Sequence, residues 1–210
     1  MNAPLTTVTA EEDLAYLRNL VDSDRGTRVR YKFGVAYLIT GLLWGPYALI
    51  IWAANAGLMT MRKELNGLLW LIVMVLFFGV IAWSAWGGRG APRDTVPTRA
   101  FSGVFAGIGM SYLVMLAVLM WASYKLNNGV FVVVYCVVVF AGQGAGWYVF
   151  WVLRREPWIA LVAIGWYVAA LLTGFNMRMP DFLLYMGISM LLLMALPGWL
   201  MIRRNCAAAA

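Results

Sequence analysis

Six runs of about 20 apolar residues constrain this chain more than any other feature of its sequence. A helix needs about 20 such residues to cross the hydrocarbon core of a bilayer. The runs lack the two-residue alternation of barrel strands, and a helix is the structure that satisfies its own backbone groups in lipid. We therefore predict an all-α, polytopic membrane helix bundle. Its six transmembrane helices are expected at residues 33–55, 66–86, 101–123, 129–153, 157–175 and 181–202.

The overall composition excludes most soluble classes. Of 210 residues, 63% are hydrophobic and 12% are charged, about half the charged fraction of a soluble domain. Water-soluble enzymes and nucleic-acid-binding domains are therefore poor interpretations. The net charge of +7 does not indicate a nucleic-acid partner, because the basic residues lie at the ends of the apolar runs, where membrane topology places them.

The distribution of basic residues predicts the orientation. Of the 16 Lys and Arg residues, 12 fall on the side of the membrane that holds both termini. The other side holds Arg62, Lys63, Lys125 and Arg178. Because cytoplasmic loops carry the excess of basic residues, we expect a multi-pass protein with both termini in the cytoplasm.

A short amphipathic helix is expected ahead of the first span. Thr9 and Glu12 have the spacing of a capping box, apolar residues then recur at helical spacing as far as Val21, and Gly26 is expected to end the helix. The predicted organisation is a cytoplasmic N-terminal segment (1–31), a transmembrane domain (32–204) and a cytoplasmic tail (205–210).

The side chains of common membrane enzymes and transporters are missing from the spans. The chain has no histidine, which removes the usual ligand of haem b, His-based metal sites and Ser–His hydrolysis. All nine acidic residues lie at or outside the span ends, whereas proton relays usually place a carboxylate within the membrane. We predict no catalytic residue, no metal site, no cofactor and no enzymatic activity.

Gln143 is the most unusual polar residue, near the middle of the fourth span. A carboxamide at that depth must find a partner, because an unpaired polar group in hydrocarbon costs several kcal/mol. One interpretation is an interhelical hydrogen bond, for which Tyr112, beside Ser111 in the third span, is a candidate partner. The other is a contact with a bound lipid, quinone or pigment, or a pore-lining position. Gln143, Ser111 and Tyr112 are thus the candidate ligand or helix-contact residues.

Glycine pairs at four-residue spacing mark candidate helix-packing faces, because small residues let helices approach closely in a membrane. They are Gly41 and Gly45, Gly103 and Gly107, and Gly142 and Gly146.

Three short segments carry a resemblance to a known group of proteins. They are residues 12–18 (Glu-Asp-Leu-Ala-Tyr-Leu-Arg), residues 41–45 (Gly-Leu-Leu-Trp-Gly) and residues 196–198 (Leu-Pro-Gly). The chain resembles the uncharacterised small six-helix inner-membrane proteins of proteobacteria. The resemblance implies a location in the bacterial inner membrane and, in some genomes, a neighbourhood with small winged-helix regulators, which hints at membrane sensing.

Two functional hypotheses follow. The first is a non-catalytic accessory, scaffold or regulatory subunit of a larger membrane complex, with membrane lipids and other membrane proteins or further copies of itself as partners, and no nucleic acid. The second is a small channel or carrier for a neutral or lipid-like solute, with Gln143, Ser111 and Tyr112 along its path.

Overall fold

The computed structural model describes residues 25–86, 96–176 and 181–209, and within these ranges the only regular secondary structure is helix, joined by short turns. The helices are α1 (Arg25–Asn55), α2 (Lys63–Trp86), α3 (Val96–Leu126), α4 (Val130–Arg154), α5 (Pro157–Phe175), α6 (Asp181–Met190), the π-helical turn (Leu191–Ala195) and α7 (Leu196–Ala209). We call α6, the π-helical turn and α7 together the sixth span, because they form the last membrane crossing.

The six predicted membrane helices are confirmed as helices long and apolar enough to cross a bilayer. Their polar ends were predicted less well. α1 begins at Arg25, within the segment 1–31, and Gly26 lies inside this helix instead of ending one. Apolarity marks only the part of a helix that lies in lipid, whereas the backbone hydrogen bonds continue beyond it. The capping box at Thr9 and Glu12 lies outside the described residues.

Four of the six spans form the packed core: α1, α4, α5 and the sixth span. About a third of the residues in their apolar stretches are buried inside the protein. Large side chains fill the space between them, and Phe140, Trp147 and Trp166 are almost fully enclosed. The rings of Phe140 and Trp166 lie 5.2 Å apart and join α4 to α5.

Small residues bring α1 and the sixth span into close contact. A Cβ atom added to Gly41 would lie 2.5 Å from the backbone nitrogen of Ala195, and one added to Gly198 would lie 2.5 Å from the backbone nitrogen of Leu38. Real Cβ atoms do not approach backbone that closely, so only glycine fits at these two positions. The pairings run in opposite directions along the two helices, as expected for antiparallel neighbours.

The π-helical turn lies within this crossing and has a local cause. Pro197 follows it and has no backbone N–H to continue the helical hydrogen-bond ladder. The N–H of Leu196 reaches back five residues to the carbonyl of Leu191, which widens the helix by one residue for one turn. The turn faces Gly45, whose absent Cβ would lie 2.7 Å from the Leu191 side chain.

The remaining two helices lie on the outside of this core. α2 packs mainly against α1, and α3 packs mainly against α4. In the apolar stretch of α2 only 6% of the residues are buried inside the protein, and in that of α3 none is. Most of the apolar surface of α2 and α3 therefore faces outward.

Candidate functional site

A hydrogen-bonded group of three side chains, which we call the polar triad, joins α1 to α4. The Tyr37 hydroxyl donates to Oε1 of Gln143 at 3.0 Å and accepts from Nε1 of Trp147 at 2.7 Å. Gln143 and Trp147 are four residues apart on α4 and so project from the same face of the helix. Each polar atom named here has a partner within the protein.

Aromatic rings enclose the polar triad. The Tyr37 side chain is 4% exposed and that of Trp147 is 0% exposed. The ring of Phe33 stacks on Tyr37 at 5.2 Å, and Phe150 and Trp158 both lie within 6 Å of Trp147, centroid to centroid. The triad is therefore a satisfied polar contact inside a packed apolar core, where an interhelical hydrogen bond contributes about 0.6 to 1.7 kcal/mol.

Tyr112, the partner suggested for Gln143 by the sequence, is bonded elsewhere. Its hydroxyl donates to the backbone carbonyl of Val139 at 2.6 Å and lies against Gly142, where a Cβ would collide with it. Gly142 and Gln143 are consecutive in α4, so their side-chain directions differ by about 100°. Gln143 faces α1, and the surface that meets Tyr112 faces α3.

Ser111 and Tyr112 instead line a lateral groove on the outer side of α4. The groove has a volume of about 700 Å³. Its walls come from α3 and α4, with one side chain from α5, and include Gly103, Gly107, Ser111, Ala141, Ala145 and Tyr167. Three of its lining residues carry a hydroxyl, namely Ser111, Tyr112 and Tyr167. The hydroxyl of Tyr112 is bonded to the carbonyl of Val139 and that of Ser111 to the carbonyl of Gly107 at 3.0 Å. The groove is therefore mainly apolar.

The six predicted packing glycines separate into two kinds. Gly41, Gly45, Gly142 and Gly146 lie against neighbouring helices, where an added Cβ would come within 3 Å of another atom. Gly103 and Gly107 have nothing within 4 Å of the Cβ position and form part of the open groove wall. The same spacing thus produces a helix crossing in one place and a concave surface in another.

A cluster of charged and aromatic side chains lies on one side of the protein, where α4 ends, α5 begins and α7 carries Arg203 and Arg204. Glu156 accepts a 2.5 Å hydrogen bond from Nε1 of Trp158 and pairs with Arg154 at 3.4 Å and Arg204 at 3.1 Å. Arg155 and Arg203 are the chain neighbours of these two arginines, and we call the four together the basic rim: Arg154, Arg155, Arg203 and Arg204. Arginine is in excess here, so the rim attracts anions.

Aromatic faces hold the arginines of the basic rim in place. The guanidinium carbons of Arg155, Arg203 and Arg204 lie 5.4, 5.2 and 5.0 Å from the ring centroids of Trp151, Trp199 and Trp158, respectively. Such contacts contribute about 0.5 to 1 kcal/mol at exposed sites. They keep the charges at the height of the tryptophan belt, where a bilayer has its head groups.

Sequence reasoning missed two members of the polar triad. Neither Tyr37 nor Trp147 was among the candidate residues. The four-residue spacing of Gln143 and Trp147 is a signal that both face one neighbour, but it does not say which helix supplies the third member. Among the described residues, no group of three or more Cys, Asp and Glu side chains has the arrangement of a metal site.

The chain matches no protein-family model, no curated protein and no solved structure.

Proposed function

We propose that the protein is a non-catalytic integral membrane subunit that binds a partner membrane protein along the outer face of α2. The observation that carries this proposal is a contrast between glycines. The glycines of α1 and of the sixth span are packed against neighbouring helices. Gly67 and Gly79 of α2, in contrast, have nothing within 4 Å of the Cβ position. Gly79 of α2 is thus a small residue suited to a close helix crossing, and no helix among the described residues crosses there.

The two faces of α2 differ in their surroundings. Val73 is 7% exposed, and the ring of Phe77 meets Trp44 of α1 at 6.0 Å, so this face packs on the core. The opposite face contains Leu68, Ile72, Val75 and Gly79, and the exposed fraction of Val75 is 63%. Leu68, Ile72, Val75 and Gly79 follow the three- and four-residue spacing of a helix–helix seam.

Membrane physics gives such a face its significance. Lipid tails are as apolar as leucine, so helices associate in a bilayer through close packing at small residues and not through hydrophobicity. A helix with one seam against α1 and a second, unfilled seam is suited to join this protein to another. This geometry supports an accessory or scaffold role over a channel or carrier, because Gln143 does not share a lining with Ser111 and Tyr112.

Site-specific photo-crosslinking in the native membrane tests the proposal. A photoreactive residue at Val75 is expected to give one discrete adduct with a partner protein or a second copy, whereas the same residue at Ile164, exposed on α5, gives none. Gly79→Leu should abolish the adduct by filling the seam. Ala117→Leu adds the same side chain to an exposed position of α3 and should leave the adduct intact. Equal adducts at both positions would refute the proposal.

We also propose that the protein lies in the bacterial inner membrane with both termini in the cytoplasm, on the strength of the basic-residue asymmetry and the resemblance. The chain has two cysteines, and Cys136 is buried in α4. A maleimide that does not cross the inner membrane should therefore label Cys206 only after permeabilisation. In a Cys206→Ser background, Met59→Cys, exposed in the α1–α2 loop, should be labelled in intact cells. The reverse pattern would invert the proposed orientation.

A further inference from the structure

The lateral groove has the length of one bilayer leaflet. Its α3 wall extends from Gly103 to Met115, which is about 18 Å of helix at 1.5 Å per residue. Half of a hydrocarbon core about 30 Å thick is about 15 Å. An acyl chain that enters the groove at one end of α3 would therefore lie along its wall to the middle of the membrane.

The groove opens toward the basic rim. α3 and α4 are antiparallel: Tyr112 lies against Gly142, and Phe105 and Ile108 lie against Gly146. Continuing this register places Gly103 further toward the end of α4 that carries Arg154 and Arg155.

The chemistry of the wall favours an alkyl chain over a polar solute. Gly103 and Gly107 leave open space. The hydroxyls of Ser111 and Tyr112 already donate hydrogen bonds to backbone carbonyls of the protein.

The chemistry of the groove mouth favours an anionic head group. Arg155 follows α4 in the left-handed conformation, with a φ of 57°, and its guanidinium lies over Trp151. Glu156 is the only carboxylate in contact with the basic rim among the described residues, so a net positive charge remains beside the mouth. Anionic lipids gain about 1 kcal/mol per basic residue near the membrane surface, which corresponds to roughly fivefold in affinity.

We propose that this groove is a binding site for an anionic phospholipid, with one acyl chain along Gly103 and Gly107 and the phosphate at Arg155. The site is separate from the outer face of α2, so it does not depend on the partner proposed above. The lipid comes from the leaflet at the basic rim, and its bound chain fills the space that α3 leaves beside α4.

The test is lipid titration of the purified full chain, followed by native mass spectrometry, with phosphatidylglycerol and phosphatidylcholine of identical chains. We expect one retained phosphatidylglycerol, bound about fivefold more tightly than phosphatidylcholine. Gly107→Leu should weaken both lipids at least tenfold by filling the groove without a collision. Arg155→Gln should remove the preference for phosphatidylglycerol and leave phosphatidylcholine unchanged.

Matched variants keep the test decisive. Ala117→Leu on the exposed surface of α3 and Lys125→Gln in the last turn of α3, at the opposite end from Gly103, should both bind like the wild type. If Gly107→Leu does not fold, Ala145→Leu fills the same groove from α4. Wild-type affinity in both groove-filling variants would overturn the proposal. An equal affinity of the wild type for the two lipids would also overturn it. So would groove-filling variants that lose their association with other proteins but still bind lipid like the wild type, because the groove would then be a helix-docking site.

Discussion

Replacing Tyr37 by Phe tests whether the polar triad stabilises the bundle. The change keeps the ring and its stacking on Phe33 but removes the hydroxyl that links Gln143 and Trp147. Two interhelical hydrogen bonds are lost at about 0.6 to 1.7 kcal/mol each. We therefore expect the free energy of unfolding to fall by about 1 to 3 kcal/mol.

The assay is reversible unfolding in bicelles, and two comparisons isolate the hydrogen bonds. Tyr47→Phe removes a hydroxyl from the same helix outside the triad and is expected to cost less. Trp147→Phe and Trp166→Phe remove equal volumes from two side chains with 0% exposure. The indole N–H of Trp147 is bonded to Tyr37 at 2.7 Å, whereas that of Trp166 is directed toward the same hydroxyl but makes no hydrogen bond of good geometry among the described residues. Trp147→Phe should therefore be the costlier change, by about 1 kcal/mol.

The reasoning is refuted if Tyr37→Phe and Tyr47→Phe have the same free energy of unfolding within about 0.3 kcal/mol. In that case the triad would be replaced by other contacts when it is broken, and Gln143 would have to be explained in another way. A double-mutant cycle between Tyr37→Phe and Gln143→Leu gives the coupling directly, because these two side chains are in contact.

Further predictions concern glycines and the charged cluster. Gly41→Ala should destabilise the protein by about 1 to 3 kcal/mol, because its Cβ would collide with the backbone at Ala195. Gly103→Ala should be neutral or stabilising by up to about 1 kcal/mol, since it gains helix propensity in open space. Unfolding in bicelles measures both, and equal losses would contradict the two classes of glycine. Glu156→Gln should cost less than about 1 kcal/mol, because the carboxylate is 37% exposed and surface ion pairs are weak. A loss that persists in molar salt and exceeds 2 kcal/mol would contradict this.

How much of the candidate site could be predicted from the sequence differs between its residues. A polar partner for Gln143 was predicted, because the cost of an unpaired amide in lipid does not depend on the fold. The candidate partner, Tyr112, is not the residue that bonds to Gln143. Tyr37 is far from Gln143 in the chain, and their contact depends on the packing of α1 against α4. Likewise, glycine spacing indicated which positions are small, but not which of them meet a neighbour.

What the sequence determined by itself is the set of six membrane-crossing helices. A run of apolar residues long enough to span a bilayer must form its backbone hydrogen bonds internally, so the helices and their approximate ends follow from local composition. The tertiary structure alone decided which helices touch. Hydrophobicity does not distinguish a neighbouring helix from lipid, so composition cannot tell that α1 packs against the sixth span while α2 and α3 face outward. The polar triad, the lateral groove and the basic rim all arise from that arrangement.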